Sequence, residues 1–280
     1  MKVAGAAGLG GVAGYVARGG VSHPFGRMWS PDEVESKGMA GVAPATNEPL
    51  GVRRIFWSVP TDDRVAALTF DDGPDPEFTP RVLEALAAHQ VKATFNIMGW
   101  NADQHRDLLA EVVAAGHEIG NHTWSHRDHA ITDDDAIRDE MRHGTEVIEE
   151  LTGTKLRWFR PPRGEVTGLS LKIAAELGQD VLVWSLSGSV DDPSTSDKVK
   201  AWVIPHVTPG AIISFHDGIG RGTFDRGSHN AANLIERRNS EIDVLPEMLD
   251  GILARGFRFQ TVGEMVDDAD VAARANGTVL

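Results

Sequence analysis

The chain has 280 residues, of which 41% are hydrophobic and 24% are charged, so its composition is that of an ordinary soluble globular protein. A formal net charge of −14 argues against sequence-independent binding to nucleic acid, because phosphate backbones are bound by clustered Lys and Arg. The absence of Cys excludes thiol catalysis, Cys-ligated zinc and disulfides. Any metal must therefore bind through His and carboxylate side chains.

Two segments precede the region that we expect to carry chemistry. Residues 1–18 combine one Lys with a stretch of Gly, Ala and Val before Arg18, which predicts a signal sequence or a short anchor. The stretch is shorter than the ~20 apolar residues of a spanning helix, so membrane contact is expected only through this segment. We therefore expect a protein that is exported or associated with the cell envelope, with a cytoplasmic location as the alternative. Residues 19–60, rich in Gly, Pro, Ser and Glu, predict an irregular extension or linker.

In residues 61–280, short apolar runs alternate with amphipathic stretches. The runs predict seven buried strands, at residues 65–70, 92–97, 117–120, 156–160, 181–185, 211–215 and 257–261. The stretches predict helices at residues 80–89, 103–115, 133–151, 168–177 and 245–254. Thr132 or Asp133 is a candidate N-cap, and Gly116 and Gly178 are candidate helix ends. The alternation predicts an α/β fold, a parallel sheet or barrel that forms one catalytic domain.

Ionisable residues cluster where the predicted strands end. In parallel α/β architectures the loops at the carboxyl ends of the strands form the ligand crevice, so these side chains are expected to converge on one rim. They are Asp71 and Asp72, His122 and His126, Arg160, and His216 and Asp217.

The first motif places Asp71 and Asp72 at a strand end, before a Gly-Pro break that turns the chain. Two adjacent carboxylates can divide labour when a cation binds one of them and the other stays free to accept a proton. The alternative is an Asp-rich turn without chemistry, because Asp, Gly and Pro are favoured turn residues.

The second motif places His122 and His126 four residues apart, a spacing at which two imidazoles point the same way on a helical turn. Together with one carboxylate they make a ligand set known for catalytic zinc. The alternative is chance pairing in a His-containing stretch, because other histidines lie nearby at positions 105, 117, 129 and 143.

Two further motifs complete the predicted site. Arg160 ends a strand and could hold Asp71 ionised, and the two prolines after it stiffen the backbone so that the amide of Arg163 can donate to an oxyanion. The alternative is a stiff surface loop with solvated Arg residues. His216 ends a buried strand and is a candidate acid, or else a strand-end His that is merely hydrogen-bonded.

In this order the four segments resemble the polysaccharide deacetylase family, also called the NodB homology domain or carbohydrate esterase family four, over about residues 65–265. The resemblance implies a distorted barrel of about seven strands. It implies Asp71 as base, His216 as acid, and a divalent metal held by Asp72, His122 and His126. The expected metal is Zn²⁺, with Co²⁺, Ni²⁺ and Mn²⁺ as alternatives.

Three positions depart from the family pattern. Arg127 stands where Pro is usual, and Arg163 stands where an aromatic residue is common, although the backbone N–H of that position is retained. Around Ser187 the family tends to carry a carboxylate that supports the acid histidine, and here that support is displaced or missing. Asp191 or Asp192 could reach back to supply it, unless the Asp-Asp-Pro sequence is an ordinary solvated turn.

The function implied is hydrolytic removal of N-acetyl or other acyl groups from an amino sugar or polysaccharide by a monomer, without nucleic acid as a partner. No acyl-enzyme is expected, because Cys and a Gly-x-Ser-x-Gly turn are both absent. Two alternatives are a deformylase or deacylase of a small or lipid-linked amide, and an inactive carbohydrate-binding protein. The loops do not distinguish chitin oligomers, peptidoglycan, xylan and lipid-linked sugars.

Overall fold

The computed structural model describes residues 54–188, 196–220 and 229–275, and within them nine strands form one sheet. The strands are β1 (Ile55–Phe56), β2 (Val65–Asp71), β3 (Thr94–Ile97), β4 (Glu118–Asn121), β5 (Trp158–Phe159), β6 (Asp180–Leu182), β7 (Leu186–Ser187), β8 (Ala211–His216) and β9 (Arg258–Phe259). Their order is β1-β6-β5-β4-β3-β2-β8-β7, with β9 paired to β2. Every pairing between these strands is parallel, so all their carboxyl ends lie at one edge.

The helices surround this sheet and connect its parallel strands. They are α1 (Thr79–Ala88), α2 (Gly99–Gln104), α3 (Arg106–Ala114), α4 (Asp134–Thr152), α5 (Gly168–Leu177), α6 (Ser196–His206), α7 (His229–Asp243), α8 (Leu245–Ala254) and α9 (Val262–Ala275). Asp133 caps α4 by accepting from the N–H of Ala136, and Gly178 ends α5 with a φ of 76°. None of these described helices has the length and apolar character needed to cross a membrane.

The apolar core lies on both faces of the sheet, which explains why β2 reads as an unbroken apolar run. Successive side chains of a strand point to opposite faces. Leu68 and Phe70 accordingly belong to one buried cluster, whereas Val65 and Ala67 belong to another that includes Val262 of α9. With both faces covered, polar groups are left for the strand ends.

The predicted α/β architecture, a distorted barrel of parallel strands, is confirmed in the form of a half-barrel, and all seven predicted strands are present. The predicted helix at 103–115 is divided at His105 into α2 and α3. Strands β1 and β7 were not predicted, because two residues carry no periodicity. Helices α6, α7 and α9 were not predicted either.

The fold begins earlier than the predicted boundary at residue 61. β1 pairs with β6, and Ser58 bridges to Ala211, so these residues of the predicted linker join the sheet. The reason is that a short edge strand needs only a few backbone hydrogen bonds and no apolar pattern of its own. The predicted signal or anchor at residues 1–18 lies outside the described residues.

Candidate active site

The strand register brings the polar strand ends together. Asp71 is opposite His216 in the β2–β8 pair and opposite Asn96 in the β2–β3 pair. Asn121, immediately before His122, is opposite Phe159, immediately before Arg160. Because the pairs are parallel, the residues that follow them emerge at the same edge. The predicted convergence on one rim is therefore present.

A cavity of about 450 Å³ opens at this edge. Six of the seven residues predicted to bind the metal or take part in catalysis line it, namely Asp71, Asp72, His122, His126, Arg163 and His216. The seventh, Arg160, lies fully buried behind Asp71. The described residues that line the cavity are Asp71, Asp72, His122, His126, Arg163, Trp184, His216, Ile219, Gly220, Leu234, Arg237 and Arg238.

Asp72, His122 and His126 form a set of three potential metal ligands. Asp72 Oδ1 lies 3.5 Å from His122 Nε2 and 3.6 Å from His126 Nε2. Ligands at zinc distances around a tetrahedral ion are roughly 3.3–3.5 Å apart, so the spacing fits a divalent ion. Asp72 Oδ1 is buried and accepts no hydrogen bond from any described residue, as expected for an oxygen directed at a cation. The other nearby histidines are not part of this set.

The protonation states of the two imidazoles suit metal binding. His122 Nδ1 lies 2.8 Å from the carbonyl oxygen of Arg160, so Nδ1–H donates there and Nε2 is left as the ligand atom. Burial lowers the pKa of His126 to about 4, which keeps that ring neutral near pH 7. Burial alone would raise the pKa of Asp72, yet three surrounding histidines and Arg238 hold it below its ordinary value.

The His-x-x-x-His segment is not helical, which corrects the expected helical turn. Residues 122–126 form an irregular loop in which Thr123 has a φ of 67° and His126 a φ of 61°. Asp72 and Arg163 also have positive φ, so four of the five non-glycine residues with positive φ in the described chain lie at this site. Such conformations cost on the order of 1–3 kcal/mol each, and their clustering is typical of a functional site. The two rings converge because the loop folds back.

Asp71 is held ionised and oriented by its neighbours. Its Oδ1 accepts from Arg160 Nη1 and from Asn96 Nδ2, both at 2.7 Å. Burial favours the neutral acid, but Arg160, with His122 and His216, holds the pKa of Asp71 below its ordinary value. No described residue donates to Oδ2, so that oxygen is the one free to accept a proton.

Arg160 is in turn fixed by the protein around it. Its guanidinium donates to Thr69 Oγ1 at 2.7 Å and to the carbonyl oxygen of Val183 at 2.9 Å, in addition to Asp71. The expected contact between Arg160 and Asp71 is thus present, and the alternative of a solvated surface loop is wrong for Arg160.

Two arginines that depart from the family pattern, Arg163 and Arg127, lie at the margin of the site. Arg163 has a φ of 57° in the turn Pro162–Gly164, lines the cavity and pairs with Asp128 at 3.3 Å. Arg127 pairs with Glu140 at 3.3 Å. Arg163 stands where the family commonly has an aromatic residue, and Trp184 lines the cavity and supplies an aromatic face instead.

On the opposite side of the cavity, His216 meets a carboxylate that sequence reasoning did not find. Glu241 Oε2 lies 3.0 Å from both the backbone N and the Nδ1 of His216. Arg238, also on α7, donates to Asp72 Oδ2 at 3.2 Å and to Glu241 Oε1 at 3.3 Å. Asp191 and Asp192 lie outside the described residues.

Asn96, Arg238 and Glu241 are therefore the site residues that the sequence did not reveal. Asn96 could have been suspected, because it occupies the carboxyl-terminal part of a predicted strand next to β2. The Arg238–Glu241 spacing is that of an ordinary surface ion pair on a helix, which carries no functional signal.

Asp217 lies behind the site, where the loops after β2 and β8 meet. Its carboxyl group accepts from Thr79 Oγ1 at 2.7 Å. A side chain at Gly73 would collide with this carboxyl group, so only Gly allows the loop after Asp72 to pass so close. Burial, together with the nearby carboxylates, raises the pKa of Asp217 to about 7, although the Thr79 hydroxyl opposes this.

A buried Asp-His-His set beside a second, ionised carboxylate and a histidine is an arrangement typical of metal-dependent hydrolases. Comparison with known proteins gives the family. Residues 58–182 match the family model described as polysaccharide deacetylase. The chain is 30% identical over 221 residues to a peptidoglycan-N-acetylglucosamine deacetylase of Bacillus cereus, which covers 78% of this chain and 95% of that protein.

Two more relatives agree. A chitooligosaccharide deacetylase of Sinorhizobium fredii is 36% identical over 191 residues, covering 68% of this chain and 86% of that protein. The crystal structure of the peptidoglycan N-acetylglucosamine deacetylase Bc1960 with 4-naphthalen-1-yl-N-oxidanyl-benzamide superimposes with a TM-score of 0.67 at 31% identity, over 77% of this chain and 94% of that chain. The chain belongs to the polysaccharide deacetylase family, which confirms the resemblance and the expected class of hydrolytic deacetylase.

Proposed function

We propose that this chain removes N-acetyl groups from the amino sugars of a cell-wall glycan. One observation carries the proposal: the unpartnered Oδ1 of Asp72 faces two imidazole Nε2 atoms, and the ionised Asp71 lies beside it in the same cavity. A metal-dependent acyl hydrolase needs a cation site next to a proton acceptor, and these atoms provide both.

The protein's own residues divide the chemistry between them. Asp72, His122 and His126 would hold a divalent ion, which supplies polarisation of the substrate carbonyl and a lowered pKa of water. Asp71 takes the proton of the attacking water at Oδ2, because Oδ1 is occupied by Arg160 and Asn96. The backbone N–H of Arg163 donates to the oxygen that becomes negative. His216 gives a proton from Nε2 to the leaving amine.

The choice of metal follows from the ligand set. Two imidazoles and one carboxylate suit zinc, with an open position for substrate. We therefore propose Zn²⁺ as the resident ion, with Co²⁺, Ni²⁺ and Mn²⁺ as functional substitutes.

The charge of the cavity favours a glycan that carries carboxylates. Arg238 is neutralised by Asp72 and Glu241, and Arg163 pairs with Asp128. Arg237 lines the same cavity and makes no ion pair with any described residue. Peptidoglycan bears carboxylates on its peptide stems, or on its lactyl ethers where no stem is attached, whereas chitooligosaccharides are neutral. Together with the relatives named for peptidoglycan, this supports peptidoglycan as the substrate and a location outside the cytoplasm, where we propose that the chain works as a monomer.

The test is acetate release by the full chain, stripped of metal and reloaded separately with each of the four ions. The panel consists of peptidoglycan glycan strands, N-acetylglucosamine oligomers, acetylated xylan and a small N-formyl amide. We expect acetate from peptidoglycan, abolished by chelation and restored by Zn²⁺, with Asp71→Asn as the inactive control. Release that chelation does not change, release of formate alone, or no release from any glycan would contradict the proposal.

A further inference from the structure

The carboxylate of Glu241 holds His216 at two atoms. One atom, Oε2, accepts hydrogen bonds from both the backbone N–H and the ring Nδ1–H of that residue, each at 3.0 Å. Glu241 is only 2% exposed, and it lies on α7, which packs against the end of β8. Because the same oxygen holds the main chain and the ring of one residue, the imidazole cannot turn without breaking a buried hydrogen bond.

The same carboxylate is tied to the opposite side of the cavity through Arg238. The guanidinium donates to Glu241 Oε1 at 3.3 Å, to the carbonyl oxygen of Gly218 at 2.7 Å and to Asp72 Oδ2 at 3.2 Å. A buried carboxylate is costly without a cation beside it, and Arg238 supplies that cation. The position of Glu241 is thereby coupled to that of a proposed metal ligand.

At Ser187, where the family tends to carry the supporting carboxylate, this chain has a hydroxyl group. Ser187 ends β7, opposite Ser214 in the neighbouring strand β8, and its hydroxyl carries no charge. The need is unchanged, since a histidine that must give a proton from Nε2 has to keep its other nitrogen protonated and oriented.

We propose that Glu241 is the positioning residue for His216, so that helix α7 supplies a supporting carboxylate for the acid histidine. The inference rests on the proposed deacetylation. A carboxylate can accept only from a protonated Nδ1, so the proton that His216 exchanges with the substrate is the one at Nε2. Glu241 itself does not touch the substrate.

The experiment compares Glu241→Gln, which keeps the shape and removes the charge, with Glu236→Gln. Glu236 lies exposed on the same helix and is the matched control. For Glu241→Gln with the peptidoglycan substrate and Zn²⁺, we expect kcat to fall on the order of 10²-fold, with KM and the zinc content nearly unchanged. In a His216→Ala background the same substitution should cause no further loss, because its effect passes through the ring. An equal loss in both backgrounds, or an unchanged kcat in the wild-type background, would overturn the proposal.

A second measurement does not depend on activity. Two-bond ¹H–¹⁵N spectra of the zinc-loaded wild-type chain report which nitrogen of each neutral imidazole is protonated, and His216→Gln assigns the signal. We expect the Nδ1–H tautomer for His216, and the Nε2–H tautomer would overturn the role of Glu241. If the wild-type chain releases no acetate from any glycan, the proposed function fails, while the tautomer still decides whether Glu241 orients His216.

Discussion

The two sides of the cavity are built in different ways. On the β2–β4 side, Asp72, His122 and His126 directly follow strands or lie in the loop after one. On the β8–α7 side, only His216 ends a strand. Its partner Glu241 comes from a helix, 25 positions further along the chain, and is held there by Arg238 of the same helix. A ligand set fixed by strand ends has little freedom to change its sequence spacing. A supporting carboxylate needs only to reach one nitrogen, so it can come from any element that packs there.

The largest effect on metal content and activity is expected for the proposed metal ligands on the β2–β4 side. His122→Ala, His126→Ala or Asp72→Ala should each leave the purified chain with far less than one metal ion, since three-ligand sites rarely survive the loss of a ligand. Activity should fall by on the order of 10³-fold or more, because several kcal/mol of transition-state stabilisation are lost. Metal content by mass spectrometry after dialysis checks this, with the exposed His206→Ala as the matched control. A stoichiometric ion in any of the three variants would remove that residue from the ligand set.

The next largest effect distinguishes the proposed base, Asp71, from the metal ligands on the same side, because its substitution should lower activity without loss of metal. Asp71→Asn retains an oxygen that can accept from Arg160 and Asn96, so the site should keep its shape and its metal. The variant lacks the ionised oxygen that takes the proton, and kcat should fall by about 10²- to 10⁴-fold. Single-turnover acetate release, measured beside the metal content, checks both halves of this prediction. Turnover at the wild-type rate would exclude Asp71 from proton transfer.

The same contrast explains how much could be predicted from the sequence. The strands of the β2–β4 side were predicted because both faces of the sheet are buried, which leaves continuous apolar runs with polar residues only at their ends. The convergence of Asp72 and His126 on one rim was also predicted. The conformations of the two loops that carry them were not, because their positive φ angles are imposed by surrounding structure rather than by a helical period.

Helix α7 shows why the rest could not be predicted. Its apolar residues Leu234, Ile235 and Ile242 give no continuous stripe, and the helix is otherwise dominated by Asn, Arg and acidic side chains. In sequence, Glu241 looks like an ordinary exposed glutamate near a helix end. Its burial arises only from packing against β8, a contact between elements that no local pattern records.

A smaller effect is expected at Asp217, where the two sides meet. In the folded metal-free chain its pKa is raised to about 7 from 3.8, so between these pH values the folded state keeps a proton that the unfolded chain loses. The associated stability is fully present below pH 4 and is lost as pH rises through 7. The loss is on the order of 4 kcal/mol at most.

Asp217→Asn removes this titration and retains an oxygen for the Thr79 hydroxyl. The free energy of unfolding of the metal-free variant should therefore decline less between pH 4 and pH 8 than that of the wild-type chain. Urea titrations across this range measure the difference, and Asp62→Asn, an exposed substitution, is the matched control. Parallel pH profiles for the variant and the wild-type chain would show that Asp217 is ionised in the folded state.

The smallest effect concerns Arg237, which belongs to neither side's network. Arg237 is half-buried, lines the cavity and pairs with no acidic side chain among the described residues, so its guanidinium is available to a carboxylate of the substrate, and such a contact in partial solvent contributes about 1 kcal/mol. Arg237→Gln should therefore raise KM about three- to tenfold for peptidoglycan strands and leave KM for neutral N-acetylglucosamine oligomers unchanged. The difference should shrink as salt is added, because a pair open to solvent is screened. Arg274→Gln, an exposed substitution on α9, is the matched control. Equal changes in KM for both glycans would show that Arg237 shapes the cavity without reading the charge of the substrate.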